Sequence, residues 1–381
     1  MREREDVGSL EDIIAAATRT TGLTDLGEGA DDFREAFGLL VEDLASPEAG
    51  LTPAGNYFQR SEVKAGIVGR LLTQARFTEF PQHADVPIER PIFVLGLPRT
   101  GTTALHRLLT ADPRHQGLEL WLTQFPQPRP PRATWADDPI FTAMQAAFSE
   151  HHIDNPEFMG IHYMDATSVE ECWRLLRQTG KSLSYESLAL VPRYGEWLAG
   201  QDWTDAYVRH RQNLQLIGLN DPEKRWVLKN PSHLAALDAL MTVYPDALIV
   251  RTYRDPITSI ASACSLSAEA TAGQSTTFVG EGIGRSQLEM LARSWRSFVE
   301  ARPKYDQAQF VDVDYREFVG DPVGTTKGIY DQFGIEWTNE VDAAVRAIDD
   351  ESRRGGKRPS HHYDLADYGL TEAQVRDAFE G

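Results

Sequence analysis

The sequence predicts an α/β protein in which a parallel β-sheet lies between layers of helices, a three-layer sandwich. Two segments support this prediction, because residues 91–109 and 247–262 each read as an apolar strand, a turn and a helix. Their strands are short continuous apolar runs, which is typical of strands that a parallel sheet buries on both faces. Strands also alternate with helices from about residue 90 to 335, and this order favours parallel pairing.

A helical layer is predicted before the first strand, over residues 9–80. Apolar residues recur there at helical spacing, in Leu10, Ile13 and Ile14 and again in Phe33, Phe37 and Leu40. We expect three helices that pack on the core or over its mouth.

The first strand leads into a loop with the glycine spacing of a phosphate-binding loop. Residues 92–95 form the strand, residues 96–101 the turn and residues 102–109 the helix. Such a loop points backbone N–H groups and the positive end of a helix dipole at an anion. Enzymes that bind nucleoside triphosphates carry a lysine where this chain has Thr102, and that lysine reaches the β- and γ-phosphates. Its absence predicts a ligand with no γ-phosphate to transfer, and Arg99 is the cation of the loop.

A long and mainly helical insertion is predicted over residues 121–226. It is rich in tryptophan: Trp121, Trp135, Trp173, Trp197, Trp203 and Trp226. An apolar, aromatic cavity suits a lipid, sterol-like or aromatic alcohol better than a highly charged polysaccharide. We therefore place acceptor recognition in this insertion, with ordinary core packing of the tryptophans as the alternative.

A second strand, residues 226–228, ends at Lys229. The following residues Asn230 and Pro231 indicate a turn, so Lys229 should lie at the same edge of the sheet as the loop. The alternative is a solvated lysine at the end of a strand.

A third strand, residues 247–250, is followed by Arg254. Asp255 is a good N-cap and Pro256 a good first helical residue, so a helix should begin there. Ser262 follows Arg254 by eight residues and returns close to the face on which the helix starts. The arginine and the serine could therefore bind one anion from two directions.

At these positions the chain resembles the sulfotransferases of bacterial (actinobacterial) type that use 3′-phosphoadenosine 5′-phosphosulfate (PAPS). The resemblance covers roughly residues 90–335. In that family a loop with the pattern of residues 97–103 holds the 5′-phosphosulfate, and an arginine with a serine eight residues later holds the 3′-phosphate. The resemblance thus assigns the 5′ end to Arg99, Thr100, Gly101, Thr102 and Thr103, and the 3′-phosphate to Arg254 and Ser262.

The resemblance also implies catalytic roles. The family has a lysine at the position of Lys229, where it neutralises charge growing on the leaving phosphate. The acceptor must lose a proton, and two general bases remain open. His233 follows the lysine by four residues, two more than in the tightest form of the family pattern. Glu119 lies beyond the helix of the phosphate loop, where other branches of the family place a catalytic glutamate; a structural salt bridge is the alternative.

The C-terminal tail, residues 336–381, contains a dense basic cluster at residues 353–358. In the family a basic segment near this point folds over the nucleotide, so Lys357 or Arg354 is expected to contact the 3′-phosphate. A solvated basic turn is the alternative. A final helix is predicted over residues 371–379.

Composition narrows the function classes. The chain has 381 residues and a formal net charge of −19, which opposes binding to nucleic acid or to an anionic membrane surface. Two cysteines, Cys172 and Cys264, fit a reducing cytosol. We find neither the apolar core of a signal peptide nor a run of 18 apolar residues. We therefore expect a cytoplasmic protein that is not an integral membrane protein, with residues 1–381 as one domain.

The predicted function is transfer of a sulfuryl group from PAPS to a hydroxyl or amine of a small acceptor, without a metal. No Cys-x-x-Cys or His-Glu-x-x-His pattern occurs, and the adjacent pairs His151–His152 and His361–His362 read as solvent-facing. One alternative is a metal-dependent small-molecule kinase with a phosphate loop, which should carry the missing lysine. The other is a non-catalytic nucleotide-binding protein, which would require that neither His233 nor Glu119 faces the cofactor.

Overall fold

The fold is built on a five-stranded sheet in which all strands are parallel. The computed structural model describes residues 2–154, 165–354 and 364–380. The strands are β1 (Ile92–Leu95), β2 (His115–Gln116), β3 (Arg225–Lys229), β4 (Leu248–Tyr253) and β5 (Phe310–Asp314), in the spatial order β2-β3-β1-β4-β5. The predicted α/β class with a parallel sheet is therefore confirmed.

Helices cover the sheet and extend beyond it. The described helices are α1 (Leu10–Thr21), α2 (Ala30–Leu44), α3 (Pro53–Glu79), α4 (Thr102–Thr110), α5 (Leu120–Gln124), α6 (Pro139–Asp154), α7 (Trp173–Leu176), α8 (Pro192–Ala199), α9 (Thr204–Ile217), α10 (Leu237–Val243), α11 (Pro256–Ala270), α12 (Glu281–Ala301), α13 (Tyr315–Gly320), α14 (Pro322–Phe333), α15 (Asn339–Arg354) and α16 (Glu372–Glu380). The insertion between β2 and β3 thus contains α5 to α9, as the sequence predicted.

Both faces of the sheet are buried, which explains the uninterrupted apolar runs of its strands. Ile92 and Val94 of β1 point to one face and belong to the core cluster that includes α4. Phe93 and Leu95 point to the other face and belong to the larger core cluster. A side chain of this kind contributes about 1.5–3 kcal/mol when it is fully buried rather than exposed. The alternation fixes which functional side chains can share a face.

Strand β1 is the central strand of the sheet. Val94 of β1 pairs with Lys229 of β3 on one side and with Val250 of β4 on the other. Because the strands are parallel, their carboxyl ends meet at one edge of the sheet, where open α/β sheets bind ligands. The loops after β1, β3 and β4 therefore converge on one region.

The N-terminal layer consists of three helices, as the apolar spacing predicted. Ser9 caps α1 in a capping box with Asp12, and Gly22 ends this helix in the left-handed conformation. Phe33 and Phe37 of α2 are fully buried, with ring centroids 4.8 Å apart. The layer packs into the same core cluster as the face of the sheet that carries Phe93.

Some element boundaries differ from the prediction. Strand β4 continues to Tyr253, three residues past the apolar run, because its pairing with β5 extends to Asp314. Strand β2 has two residues and pairs only with β3, so it has no periodic pattern in the sequence. The predicted start of α11 is correct, since the carboxylate of Asp255 accepts from the N–H of Ile257.

Within the described ranges, no helix has the length and apolar character needed to cross a bilayer. A spanning helix needs about 20 predominantly apolar residues. The longest described helices, α3 with 27 residues and α12 with 21, carry charged residues along their length.

Candidate active site

The loop after β1 bends back on itself through positions with positive φ. Gly96 has φ 152°, and a Cβ there would lie 2.4 Å from the carbonyl oxygen of Thr252 on β4. Gly101 has φ 89°, and Arg99 has φ 69°, which is strained for a residue with a side chain. The hydroxyl of Thr100 lies 2.7 Å from the carbonyl oxygen of Leu97, to which it donates, and 2.6 Å from the hydroxyl of Thr252. The loop is thus tied to the neighbouring strand in a tight turn.

The first turn of α4 is open to an anion. Gly101 is its N-cap, and among the described residues no side chain accepts a hydrogen bond from the first N–H groups of this helix. Those groups carry the positive end of the helix dipole. Thr103 is exposed on this turn, whereas Thr102 is buried. A phosphate or sulfate would satisfy the free N–H groups.

Arg254 lies beside the loop. One Nη of its guanidinium donates to the carbonyl oxygen of Arg99 at 3.3 Å, and the guanidinium stacks 4.2 Å from the centroid of the Tyr315 ring. Ser262 lies on the second turn of α11, with 4% of its surface exposed. The structure therefore brings the two basic segments together: the end of β4 touches the loop that follows β1.

Lys229 also reaches the loop. Its Nζ donates to the hydroxyl of Thr103 at 3.0 Å and to Oε1 of Glu171 at 2.6 Å. The lysine side chain is 4% exposed, and the glutamate side chain is 28% exposed. Lys229 follows Leu228, which points to the face of Phe93, so by alternation it points to the face of α4.

His233 lies in the core. The side chain is fully buried, its Nδ1 is 2.6 Å from the hydroxyl of Tyr207, and its ring packs edge-on against Phe93 at 5.0 Å. Burial lowers the pKa of His233 well below its ordinary value, and His210 adds to the effect. Lys229 points to the opposite face of the sheet. This position argues against contact between His233 and an acceptor.

Glu119 is held by an arginine. Its Oε2 accepts from Nε and Nη2 of Arg129 at 3.1 and 3.0 Å. Arg129 also donates to the carbonyl oxygen of Gly117 at 2.6 Å and stacks on Trp226. The glutamate side chain is 14% exposed. Glu119 therefore has the environment of a structural salt bridge, the alternative considered from the sequence.

Residues 91–339 match the family model described as the sulfotransferase family. The chain belongs to this family. Its fold resembles the crystal structure of sulfotransferase STF1 from Mycobacterium tuberculosis H37Rv, at 51% identity and a TM-score of 0.92 over 99% of both chains. It also resembles sulfotransferase STF9 from Mycobacterium avium, at 27% identity and a TM-score of 0.88 over 99% of this chain and 96% of that one. The predicted resemblance is confirmed, and the chain belongs to a family of transferase enzymes.

Two curated relatives are more distant. The omega-hydroxy-beta-dihydromenaquinone-9 sulfotransferases Stf3 of Mycobacterium bovis and Mycobacterium tuberculosis are each 24% identical over 256 residues. The match covers 64% of this chain and spans 63% of the length of each relative. The names of these relatives describe their own acceptor.

A glutamate that sequence reasoning missed, Glu171, lies in the site of this family member. It follows Glu170 in the insertion, with no motif around it. Its contact with Lys229 joins residues 58 positions apart in the chain. Local sequence carries no signal for such a contact, because it depends on how the insertion returns to the edge of the sheet.

The basic tail is only partly described. Lys357 lies outside the described residues, as do His361 and His362. Arg353 pairs with Asp349 at 2.9 Å, and Arg354 lies 3.8 Å from Asp350, both within α15. Exposed helical pairs of this kind contribute little to stability. The predicted contact of Lys357 or Arg354 with the 3′-phosphate stays a prediction.

The tryptophans of the insertion pack mainly into the core. Trp121, Trp135, Trp203 and Trp226 are 4% exposed or less. Trp121, Trp135 and Phe141 form a cluster with ring centroids 5.5–5.7 Å apart. The aromatic content that suggested an acceptor cavity is therefore explained in large part by core packing.

Three buried histidines predict acid sensitivity in this family member. Burial lowers the pKa of His106 and of His210 to about 3, and the charge of Lys229 adds to the effect at His106; His233 is shifted in the same direction. The unfolded chain takes up these protons below about pH 6.5, whereas in the folded chain His106 and His210 take them up only near pH 3, so stability is lost as the pH falls through this window. We expect a loss of about 2 kcal/mol for each of His106 and His210 between pH 7 and pH 5.

Urea unfolding at both pH values checks this expectation. His210→Gln removes one of the three groups and should reduce the loss by about 2 kcal/mol relative to the wild type. Equal losses in the two proteins would contradict the assignment of His210 as a neutral buried group.

Proposed function

We propose that this protein transfers a sulfuryl group from PAPS to the hydroxyl of a small apolar acceptor. The observation that carries the proposal is the meeting of three basic groups at one edge of the sheet. Arg254 bonds to the carbonyl of Arg99, and Lys229 bonds to Thr103 at the start of α4. PAPS has two anionic ends, the 5′-phosphosulfate and the 3′-phosphate, which need separate binding sites. The sulfotransferase family, to which this chain belongs, also supports PAPS as the donor.

The residues fit the donor by their chemistry. The uncapped N–H groups at the start of α4, with Arg99, Thr100, Gly101, Thr102 and Thr103, would hold the 5′-phosphosulfate. Arg254 and Ser262 would hold the 3′-phosphate, with Lys357 as a further contact. The donor supplies an activated sulfuryl group on a phosphate that can leave. Lys229 would stabilise the negative charge that develops on that phosphate.

A hydroxylated, largely apolar acceptor is favoured. The distant relatives Stf3 act, by their names, on an omega-hydroxy-beta-dihydromenaquinone-9. The net charge of −19 also disfavours a highly anionic acceptor. We therefore propose a lipid-like or aromatic alcohol, with an amine as the less favoured acceptor.

The kinase alternative is disfavoured by two positions. Thr102 lies where a triphosphate-binding loop has lysine, and the apolar run of β4, residues 248–250, is followed by Arg251 instead of a magnesium-binding aspartate. A sulfate ester carries less charge than a phosphate ester. Both positions therefore suit transfer of a sulfuryl group better than transfer of a phosphoryl group.

The test is a transfer assay with labelled PAPS and a panel of long-chain alcohols, sterols, phenols, hydroxylated prenyl quinones and amines. We expect label in at least one apolar alcohol, at a rate that a metal chelator leaves unchanged. Adenosine 5′-phosphosulfate, which lacks the 3′-phosphate, is the matched control and should be a poor donor because Arg254 has nothing to bind.

Two outcomes would contradict the proposal. Phosphoryl transfer from ATP that the chelator abolishes would support a kinase. Tight binding of 3′-phosphoadenosine 5′-phosphate (PAP) without turnover on any acceptor would support a non-catalytic binding protein.

A further inference from the structure

A carboxylate that neither the sequence motifs nor the family resemblance singled out lies in the candidate active site. Oε1 of Glu171 is 2.6 Å from Nζ of Lys229, and the same Nζ is 3.0 Å from the hydroxyl of Thr103. Thr103 lies in the first turn of α4, the helix that would receive the anion. One lysine therefore joins Glu171 to the loop that would hold the sulfuryl group.

The backbone fixes the position of this carboxylate. The N–H of Glu170 donates to the carbonyl of Leu118 at 2.7 Å, and the N–H of Cys172 donates to the carbonyl of Lys229 at 3.0 Å. Glu171 lies between these two bonds. Its segment is thus fastened on both sides to the edge of the sheet, which limits how far the side chain can move.

The burial of the pair is asymmetric. The lysine side chain is 4% exposed, and the glutamate side chain is 28% exposed. The glutamate therefore faces outward from the lysine, towards space that a small molecule can reach. The nearest other charged or titratable groups of its own segment are Glu170, whose Oε2 accepts from the N–H of Glu171, and the Cys172 thiol, whose pKa burial raises.

The alternative bases have other partners. His233 is fully buried and bonds to Tyr207, and Glu119 is held by two nitrogens of Arg129. Among these three groups, Glu171 is the one that contacts Lys229. A base must lie within hydrogen-bond reach of the acceptor hydroxyl, next to the sulfuryl group.

We propose that Glu171 is the general base of the reaction; this inference rests on the proposed sulfuryl transfer. Lys229 holds the carboxylate in place before the donor binds, and turns to the 5′-phosphate when it does. Glu171 then accepts the hydroxyl proton as the acceptor oxygen bonds to sulfur. The bond between sulfur and the bridging phosphate oxygen breaks, and its electron pair stays on PAP, beside Lys229. The products are the sulfate ester, PAP and a protonated Glu171.

The test compares Glu171→Gln with the wild type, on the alcohol that the wild type sulfates. Glutamine keeps an oxygen that can accept from Lys229 but takes no proton. We expect kcat to fall by about 100-fold, the affinity for PAP to stay within about threefold, and the acidic limb of the kcat profile to flatten. A residue that only supports the fold would change stability or affinity and leave the pH profile unchanged.

The matched control is Glu62→Gln. Glu62 forms an ion pair with the buried Arg177, and the side-chain exposures of 25% and 3% are close to those of Glu171 and Lys229. This variant should lose as much stability as Glu171→Gln but retain wild-type kcat and pH dependence. If Glu171→Gln is too unstable to assay, Glu171→Asp must retain the acidic limb with reduced turnover.

The outcomes separate the two proposals. If the wild type transfers the sulfuryl group and Glu171→Gln has an unchanged rate or pH profile, the role of Glu171 is overturned and the proposed sulfuryl transfer is retained. Absence of transfer by the wild type to any acceptor of the panel would overturn both.

Discussion

Replacing Lys229 by alanine should lower kcat by about 150- to 1000-fold, while the affinity for PAPS falls by less than about tenfold. Nζ of this lysine lies 3.0 Å from the hydroxyl of Thr103, at the start of the anion-binding helix. A preorganised donor aimed at developing charge contributes about 3–4 kcal/mol to the transition state. Its effect on bound PAPS is smaller, because the full charge on the leaving phosphate appears only as the bond to sulfur breaks. Steady-state kinetics and calorimetry with PAPS in the absence of an acceptor separate the two effects.

Lys224→Ala is the control for this variant. Lys224 immediately precedes β3, at the other end of the strand from Lys229, and pairs with Asp221 at 2.9 Å. It should leave kcat unchanged. If Lys229→Ala instead weakens PAPS binding by the full factor and leaves kcat intact, the lysine contributes only ground-state binding and is not catalytic.

Most of the fold was predictable because its signals are local. The apolar run of β1 and the three-helix spacing of the N-terminal layer each depend on side chains close in sequence. The cap at Asp255 is likewise a property of a few neighbouring residues. By contrast, β2 has only two residues and exists through its pairing with β3, so its sequence alone does not predict it.

The candidate site was predictable to the extent that it lies on strand ends. The loop with Arg99 follows β1, Lys229 ends β3 and Arg254 follows β4. Parallel strands bring such residues together at one edge of the sheet. The proposed general base does not follow this rule. His233 comes after β3 but its turn lies against the face of Phe93, and Glu171 comes from an insertion whose path is set by tertiary packing.

The candidate bases differ in their partners more than in their chemical type. A histidine and two glutamates are chemically able to accept the proton. The contacts of Glu119 with Arg129 and of His233 with Tyr207 join residues that are not neighbours in sequence. These contacts are therefore visible only in the folded chain. The lysine contact of Glu171 is equally non-local and carries the proposed assignment.

Replacing Arg254 by alanine should weaken PAP binding by roughly 10²- to 10³-fold, the largest expected loss of affinity at a single residue. Removing one partner of a charge-assisted contact typically costs 2–5 kcal/mol. The guanidinium is preorganised by the ring of Tyr315 and by the carbonyl of Arg99, so little side-chain entropy is lost on binding. Adenosine 5′-phosphate lacks the 3′-phosphate and should bind the variant and the wild type within about threefold.

The pattern across two variants and two nucleotides tests the role of Arg254. Arg254→Lys keeps the charge but loses the planar fork, so we expect an intermediate loss of about tenfold for PAP. Arg90→Ala is the control, because Arg90 lies two residues before β1, at the opposite edge of the sheet, and donates to the carbonyl oxygen of Phe333. Equal losses for PAP and for adenosine 5′-phosphate in Arg254→Ala would show that the arginine supports the shape of the loop through Arg99. In that case the 3′-phosphate must be held elsewhere, and the basic segment that contains Lys357 would become the next site to test.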